Sequence, residues 1–327
     1  MVFASILIGQ NVIEASGFAG GDITENDMEA AMTLIATSAP ADVNSTSGGQ
    51  LILGGNDYGN YDYSVWNGGS YTLGTTFINT SNDRHACIAF KGNTTLNLNN
   101  FTTSRKVTTC IYVDGNLTIT NNIYNRGCIQ ASSGLFTTNP SSFPLTSTAN
   151  MTGSCGNGGG GGGGSGNGGA GGIFSGGAGA GGGPTCGTTA TLNGVAYGGR
   201  GGYNTTGGFS GVYSGGGAGN PGGPGYTAGG SGFGNSGGTG TGGTFILFVN
   251  GTLTQSSGQI SCGGINGGAA AHFSGTQSRG GGGSGGGRIW GKRVTGNFTS
   301  TNVSGGGGGS ADFNGGSGGS GSVNYFT

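Results

Sequence analysis

The phrase Gly198-Gly199-Arg200-Gly201-Gly202-Tyr203 is typical of a long stretch, residues 156–243, in which half of the residues are glycine. Arg200 carries the only formal charge in this stretch, which opens with the uninterrupted glycine run 158–164. Glycine loses more backbone entropy on folding than any other residue. Such a segment therefore either remains a flexible linker or forms a structure in which only hydrogen fits between neighbouring backbones.

The packed alternative has a precedent in the left-handed polyproline II helix, which has three residues per turn. In the opening phrase glycines occupy two of the three sides of such a helix, so that helices can stack with N–H···O=C bonds between neighbours. Gly/Ser linkers normally lack bulky residues, whereas this stretch carries several. They are Phe174, Tyr197, Tyr203, Phe209, Tyr213, Tyr226 and Phe233. These aromatic residues favour the packed helices over the linker.

The composition restricts the classes of partner. Charged residues make up only 6% of the 327 residues, and the net charge is −1. Disordered proteins usually have a high net charge, and binding to nucleic acid needs clustered Lys and Arg. We therefore expect neither conventional disorder nor a nucleic-acid partner, and we interpret Arg288, Lys292 and Arg293 as a solvated strand edge. Because no apolar span reaches 18 residues, no membrane insertion is expected.

The first 50 residues differ from the rest of the chain. Residues 1–9 look superficially like a signal peptide but lack a positive n-region, so they predict a strand. We accordingly expect export by a route other than the general secretory one, or as part of an assembly. Residues 22–35 predict the one helix, because acids fill its first turn and Ile23, Met28, Met32 and Ile35 share a face. A single helix at the end of a β-rich chain is usually a cap or a docking element.

From residue 50 onward a repeated unit follows, made of an apolar strand, a turn with Asn or Gly, and an alternating strand. Its copies are residues 87–98, 111–119, 245–254 and, more loosely, 289–299. One unit is too small to bury its own apolar face, so the units are expected to stack as the coils of a right-handed parallel β-helix. Because the third copy resumes directly after the glycine-rich stretch, that stretch is expected to be inserted between coils or stacked upon them.

These patterns predict an all-β protein: parallel β-helix-like coils, an inserted or stacked glycine-rich polyglycine II region, and one short N-terminal helix. The expected organisation has four parts. They are an attachment or capping segment (1–49), β-helix-like strands (50–154), the polyglycine II region with insert loops (155–243), and C-terminal β coils with glycine-rich turns (244–327).

Motifs for catalysis are missing from the sequence. The six cysteines include no Cys-x-x-Cys pair, so no metal site is expected, and both small buried thiols and one or two disulfides remain open. No motif surrounds His85 or His272 that would activate a nucleophile. No Gly-Lys-Ser/Thr follows the glycine runs, and no spacing selects a catalytic pair of carboxylates. We expect no enzyme, no catalytic residue and no cofactor.

Strands of the form apolar–Asn-Gly-x-Leu-Thr, as in residues 249–254, alternate with Gly-Gly-x-Gly-Gly phrases. In this the chain resembles glycine-rich phage tail-fibre and tail-tip proteins. Its middle, roughly residues 155–243, resembles the distal adhesins of T-even-type phage tail fibres. The resemblance implies a sandwich of polyglycine II helices whose variable inserts form loops that touch a host receptor. Residues 1–150 show no match to those adhesins.

By this resemblance the expected function is that of a virion surface protein, a tail-fibre or tip adhesin. The expected partners are a host cell-surface glycan or outer-surface protein, together with other fibre subunits or further copies of the chain. The candidate receptor contacts lie in the inserts, where aromatic faces bordered by Asn and Thr suit sugar rings. They are Tyr197, Tyr203, Asn204, Phe209, Tyr213 and Tyr226.

A second class of protein remains open. Ten Asn-x-Ser/Thr triplets occur in the sequence, and such triplets are acceptors for N-linked glycans in secreted proteins. The alternative is therefore a structural subunit of a glycosylated extracellular filament or coat, in which the glycine-rich layers pack between subunits. An adhesin is expected to present its inserts at a free end, whereas a polymer is expected to bury them.

Overall fold

The computed structural model describes residues 3–7, 12–16, 25–38, 49–53, 60–75, 77–78, 85–103, 108–125, 191–192, 195–196, 242–269 and 280–326. Within these ranges the chain is mostly strand, with one helix, α1 (Glu25–Ser38), which confirms the all-β prediction. The strands before the glycine-rich stretch are β1 (Phe3–Leu7), β2 (Val12–Ser16), β3 (Gly49–Leu53), β4 (Asn60–Thr72), β5 (His85–Asn97), β6 (Phe101–Thr103), β7 (Thr108–Val113), β8 (Leu117–Thr120) and β9 (Ile123–Asn125). The remaining strands are β10 (Thr191–Leu192), β11 (Val195–Ala196), β12 (Thr244–Gln255), β13 (Ile260–Ser261), β14 (Arg288–Asn297), β15 (Thr301–Asn302) and β16 (Ser322–Phe326).

Two sheets carry the fold. The larger sheet has the order β1-β2-β3-β4-β5-β7-β12-β14-β16, with β8 pairing with both β5 and β12. In this sheet β1 and β2 form one antiparallel pair and β3 and β4 another, whereas every pair from β4 onward is parallel. The smaller sheet, in the order β15-β13-β9-β6, is parallel throughout. The chain passes from the larger sheet to the smaller one after β5, β8, β12 and β14.

Equivalent residues of the sequence repeat stand next to one another in the larger sheet. Ile88 of β5 pairs with Ile111 of β7, which pairs with Leu247 of β12. All three side chains are fully buried, and they belong to one apolar core that also contains Ile123 and Ile260 of the smaller sheet. The four copies identified from the sequence are therefore adjacent in space, and their inward faces build a shared core.

The stacking continues across the glycine-rich stretch. Strand β7 pairs directly with β12, and β9 pairs directly with β13. Residues 126–241 lie between these partners in the sequence, so they form an insertion between two neighbouring units. The third copy of the repeat thus pairs with the second across residues 126–241.

Asparagine and glycine occupy the corners between successive strands, where backbone geometry demands them. Asn121 has φ 60° and Gly258 has φ 79°, a left-handed conformation that few side chains tolerate. A Cβ on Gly258 would lie 2.0 Å from the carbonyl oxygen of Asn121. At another corner the Oδ1 of Asn93 accepts a hydrogen bond from the Asn116 N–H at 2.9 Å, and the Oδ1 of Asn116 accepts one from the Thr252 N–H at 2.8 Å. Side-chain amides thus link one unit to the next.

Helix α1 covers part of the outer face of the larger sheet. It begins at Glu25, inside the predicted span, and continues to Ser38, three residues beyond the predicted end. Met32 and Ile35 are fully buried, as the shared face predicted, and the helix packs against β4 and β5. Glu29 on its partly exposed side accepts a hydrogen bond from Lys292 of β14 at 2.5 Å. The helix is therefore held by the sheet of its own chain.

Four glycine-rich segments, 262–268, 280–287, 303–309 and 315–321, form no β-ladder but bond to one another at intervals of three residues. We call them the glycine segments. The N–H groups of Gly280, Gly283 and Gly286 donate to the carbonyls of Phe313, Gly316 and Gly319 at 2.8, 2.9 and 2.8 Å. Likewise the N–H groups of Gly264 and Gly267 donate to the carbonyls of Ser304 and Gly307 at 2.7 and 2.9 Å. The sequence had assigned these runs to turns between strands.

Segment 280–287 lies at the centre of this arrangement, and all of its residues are buried. A Cβ on Gly283 would lie 2.2 Å from the carbonyl oxygen of Gly306, and a Cβ on Gly306 would lie 2.0 Å from that of Ile265. Only hydrogen fits between these backbones. The glycine-rich stretch 156–243 is where the sequence first predicted such packing. Its residues up to 241 lie outside the described ranges, except for the short antiparallel pair of β10 and β11.

Candidate functional site

The predicted receptor contacts belong to the insertion and lie outside the described residues. They are Tyr197, Tyr203, Asn204, Phe209, Tyr213 and Tyr226. The antiparallel pair of β10 and β11 ends directly before the first of them. Their role stays a prediction, and what the structure describes is the base from which the insertion leaves the folded body.

Both ends of the insertion are held at one place. The N–H of Gly243, at its end, donates to the carbonyl of Asn125, at its start, over 2.9 Å. The neighbouring N–H of Gly242 donates to the carbonyl of Gly285 at 3.0 Å, within the central glycine segment. Asn125 and Gly243, which flank the insertion, therefore lie side by side, next to both the strand core and the glycine segments.

A buried polar cluster fixes this base. Asn125 is fully buried, and its Oδ1 accepts hydrogen bonds from the hydroxyls of Thr103 at 3.1 Å and Thr109 at 3.0 Å. Its Nδ2 donates to the Sγ of Cys262 at 3.7 Å. One side chain thus connects β6, β7 and β9 with the residue that follows β13. Because buried polar groups are costly to leave unpaired, this satisfied network favours one arrangement of the base.

Cys262 in this cluster is inert as a nucleophile. Burial raises the pKa of its thiol to about 12, although hydrogen bonds with the Asn125 side chain and the Phe245 backbone act in the opposite direction. Only the thiolate is nucleophilic, so the neutral thiol is a packing group. Cys87 and Cys110 are buried too, and no disulfide joins any two of these three. The sequence left open whether the cysteines are buried thiols or form disulfides, and these three are buried thiols. Cys128, Cys155 and Cys186 lie outside the described residues.

The basic residues near β14 are engaged within the chain. Lys292 is only 29% exposed at its side chain and pairs with Glu29. Arg293 donates to the Gly296 carbonyl at 2.6 Å and to the Asn297 Oδ1 at 2.5 Å. A pocket of about 240 Å³ lies beside them. Sequence reasoning missed the pairing because Glu29 and Lys292 stand far apart along the chain, and no local pattern signals it.

No three His, Cys, Asp or Glu side chains in the described ranges are grouped so as to hold a metal ion. In the same ranges, no helix has the length and apolar character needed to cross a membrane.

Comparisons with models of protein families, with curated proteins and with solved structures found no match to this chain. The resemblance to phage fibre proteins therefore stays a prediction based on the repeat and the glycine-rich phrases. What the molecule does has to be inferred from its own residues.

Proposed function

We propose that the chain is a rigid virion surface protein, a tail-fibre or tip adhesin, whose insertion recognises a host cell-surface glycan or outer-surface protein. The observation that carries this proposal is the base of the insertion, where Gly243 bonds to Asn125 above a fully satisfied buried cluster. Binding residues are often found on loops that a rigid scaffold positions. A long insertion mounted on a fixed base has this arrangement.

The scaffold that we propose is a parallel β-helix. Its support is the alternation of the chain between the two sheets and the row of equivalent residues from β4 to β16. Both sheets contribute to one core, as the coils of a solenoid do when each covers the next. Such a body is stiff along its stacking direction because consecutive parallel strands from β4 to β16 are joined by backbone hydrogen bonds.

We further propose that the glycine segments are polyglycine II helices. Consecutive N–H groups donate to different neighbours: Gly283 bonds to Gly316, whereas Ser284 bonds to Ile265. Gly286 and Gly287 repeat this pattern three residues later, with Gly319 and Cys262 as their acceptors. A helix with three residues per turn presents three sides and generates this alternation. The bond from Gly242 to Gly285 supports the extension of the layer by glycines of the insertion.

Receptor binding tests the proposal. Since the insertion is almost free of charge, affinity has to come from aromatic contact and neutral hydrogen bonds, which salt screens little. Replacing any one of Tyr203, Tyr213 and Tyr226 by Ala should weaken binding to host envelope material. Where the ring is a buried anchor, the binding free energy should fall by about 2 kcal/mol. The matched control is Arg288→Ala, which should bind as the unchanged chain does. A pull-down across a range of salt concentrations measures both effects.

Two outcomes of that pull-down contradict the adhesin. One is binding that collapses at moderate salt, and the other is binding that survives the loss of all three tyrosines. The filament alternative receives less support from the described residues, because segment 280–287 is buried by its own chain and not presented to another subunit. Asn250, one of the glycan acceptors by sequence, uses its Nδ2 to donate to the Tyr112 hydroxyl at 2.8 Å and to Asp114 at 3.3 Å.

A further inference from the structure

A row of polar side chains crosses the outside of the larger sheet. Its members are in register on five adjacent strands: Ser70, Thr95, Thr118, Thr254 and Asn297. The residues that alternate with them, such as Leu96 and Ile119, are fully buried in the core. Neighbouring strands are about 4.8 Å apart, so the row repeats at that distance across the sheet.

On two of these strands a second hydroxyl follows along the strand. Two residues beyond Ser70 and Thr118 stand Thr72 and Thr120, at a separation of about 6.6 Å along a strand. Between them in register lies Asn97, whose Oδ1 accepts hydrogen bonds from Asn99 and Asn121. Two residues before the row, Thr252 of β12 lies opposite Thr295 of β14, and their hydroxyl oxygens are 2.8 Å apart. We use the term hydroxyl face for six residues. They are Ser70, Thr72, Thr95, Thr118, Thr120 and Thr254, all exposed or half-buried.

Among the described residues, the hydroxyls of this face have no partner. Within the described part of the chain, none of the six side chains forms a hydrogen bond. Other threonines of the same strands and their neighbours do: Thr94 bonds to the Gly92 carbonyl at 2.9 Å, and Thr109 bonds to Asn125 at 3.0 Å. The hydroxyl face therefore offers its donors and acceptors to whatever lies outside it.

The chemistry of the face is neutral and repetitive. Its six side chains carry no charge, and five of them add a methyl group to the hydroxyl. Tyr71, which follows Ser70 in β4, packs against Trp66 and Phe90 of the core. Sugar sites usually offer an aromatic face on which a ring can stack. A regular row of hydroxyls without such a ring suits a ligand that itself presents regular rows of hydrogen-bonding groups.

We propose that the hydroxyl face binds the surface of ice. Ice faces present oxygen atoms in parallel, evenly spaced rows, and the hydroxyls of Ser70, Thr95, Thr118 and Thr254 form one evenly spaced row on adjacent strands. Hydroxyls can replace lattice water as donors and acceptors, while the methyl groups between them order the water that remains. Because parallel strands hold the side chains in place, little conformational entropy is lost when many weak contacts form together. This activity does not depend on receptor recognition by the insertion.

The test uses the full chain in a freezing-point hysteresis measurement with observation of crystal shape. We expect the unchanged protein to arrest growth and facet ice crystals, and to be enriched in slowly grown ice. Thr95→Tyr and Thr254→Tyr place a ring above the exposed row at positions where a strand accommodates aromatic residues. Each should lose most of the hysteresis. Thr102→Tyr, at an exposed position of β6 in the smaller sheet, is the matched control and should retain it.

Circular dichroism and thermal unfolding establish that all variants are folded, so a loss of activity can be assigned to the face. Thr95→Val, which keeps the shape and removes only the hydroxyl, should lose part of the effect. The proposal is overturned if the folded unchanged chain neither shapes ice nor delays its growth, or if Thr102→Tyr loses as much activity as the two face variants. Binding to a neutral insoluble polysaccharide that requires Thr95 and Thr254, without any effect on ice, overturns it too.

Discussion

Cys262 shows how a single residue's chemistry is changed by its place in the fold. The pKa of its thiol rises from 9.0 to about 12 because the folded chain removes it from water. A folded-state pKa above the unfolded one means that the native state holds the proton more tightly. Its contribution to stability is therefore complete below pH 9 and is lost as the pH rises toward 12.

We accordingly expect the free energy of unfolding of the unchanged chain to fall between these pH values more steeply than that of Cys262→Ala. Denaturant titrations at several alkaline pH values measure the difference between the two slopes. Because Tyr63 and Tyr325 also have a raised pKa from burial, their titration affects both proteins equally and cancels in the comparison. Equal slopes in the two proteins would show that the thiol is not buried as described.

At the scale of elements, the glycine segments provide a sharp test within two adjacent residues. A Cβ on Gly306 would meet a backbone carbonyl oxygen at 2.0 Å, whereas one on Gly307 would meet only the Asn266 side chain at 3.3 Å. We expect Gly306→Ala to lower the free energy of unfolding by about 3 kcal/mol or more, at or beyond the upper end of overpacking costs. Gly307→Ala should stay close to the unchanged chain. Similar denaturation midpoints for both variants would contradict the close packing of these backbones.

Helix α1 gives a second test at this scale. Because Met32 is fully buried against the chain's own sheet, Met32→Ala should cost about 2–5 kcal/mol of stability. The adjacent exposed Thr33 provides the control, since Thr33→Ala should change the denaturation midpoint little. If the helix served only to dock onto a partner, the isolated chain would be equally stable with either substitution. Chemical denaturation of the isolated chain therefore separates the cap from a docking element.

For the whole molecule, the insertion and the body are expected to behave differently when they are separated. Since Asn125 and Gly243 are already in hydrogen-bond contact, a short Gly/Ser linker can replace residues 126–241 without moving β7 away from β12. The shortened chain should keep the protease resistance of its strand core and lose binding to host material. A shortened chain that still binds would place recognition on the body.

The strands and the helix could be predicted from the sequence because they depend on local alternation and on the repeat. The pattern in residues 87–98 returns as β5, and the pattern in 245–254 returns as β12 with nearly the same bounds. Met32 and Ile35 faced the core as their spacing required. The repeat even predicted which strands are neighbours, since equivalent apolar residues of stacked units cover one another.

The tertiary structure alone decided what depends on distant partners. Composition marks a glycine run, but only the surrounding backbones determine whether it turns or packs, and segments 262–268, 280–287, 303–309 and 315–321 pack against one another. The pairing of Lys292 with Glu29 and the burial of Asn125 at the base of the insertion follow the same rule. Local patterns set the elements because they act within a few residues. The contacts that define a site join residues far apart in the chain, and only the folded arrangement brings them together.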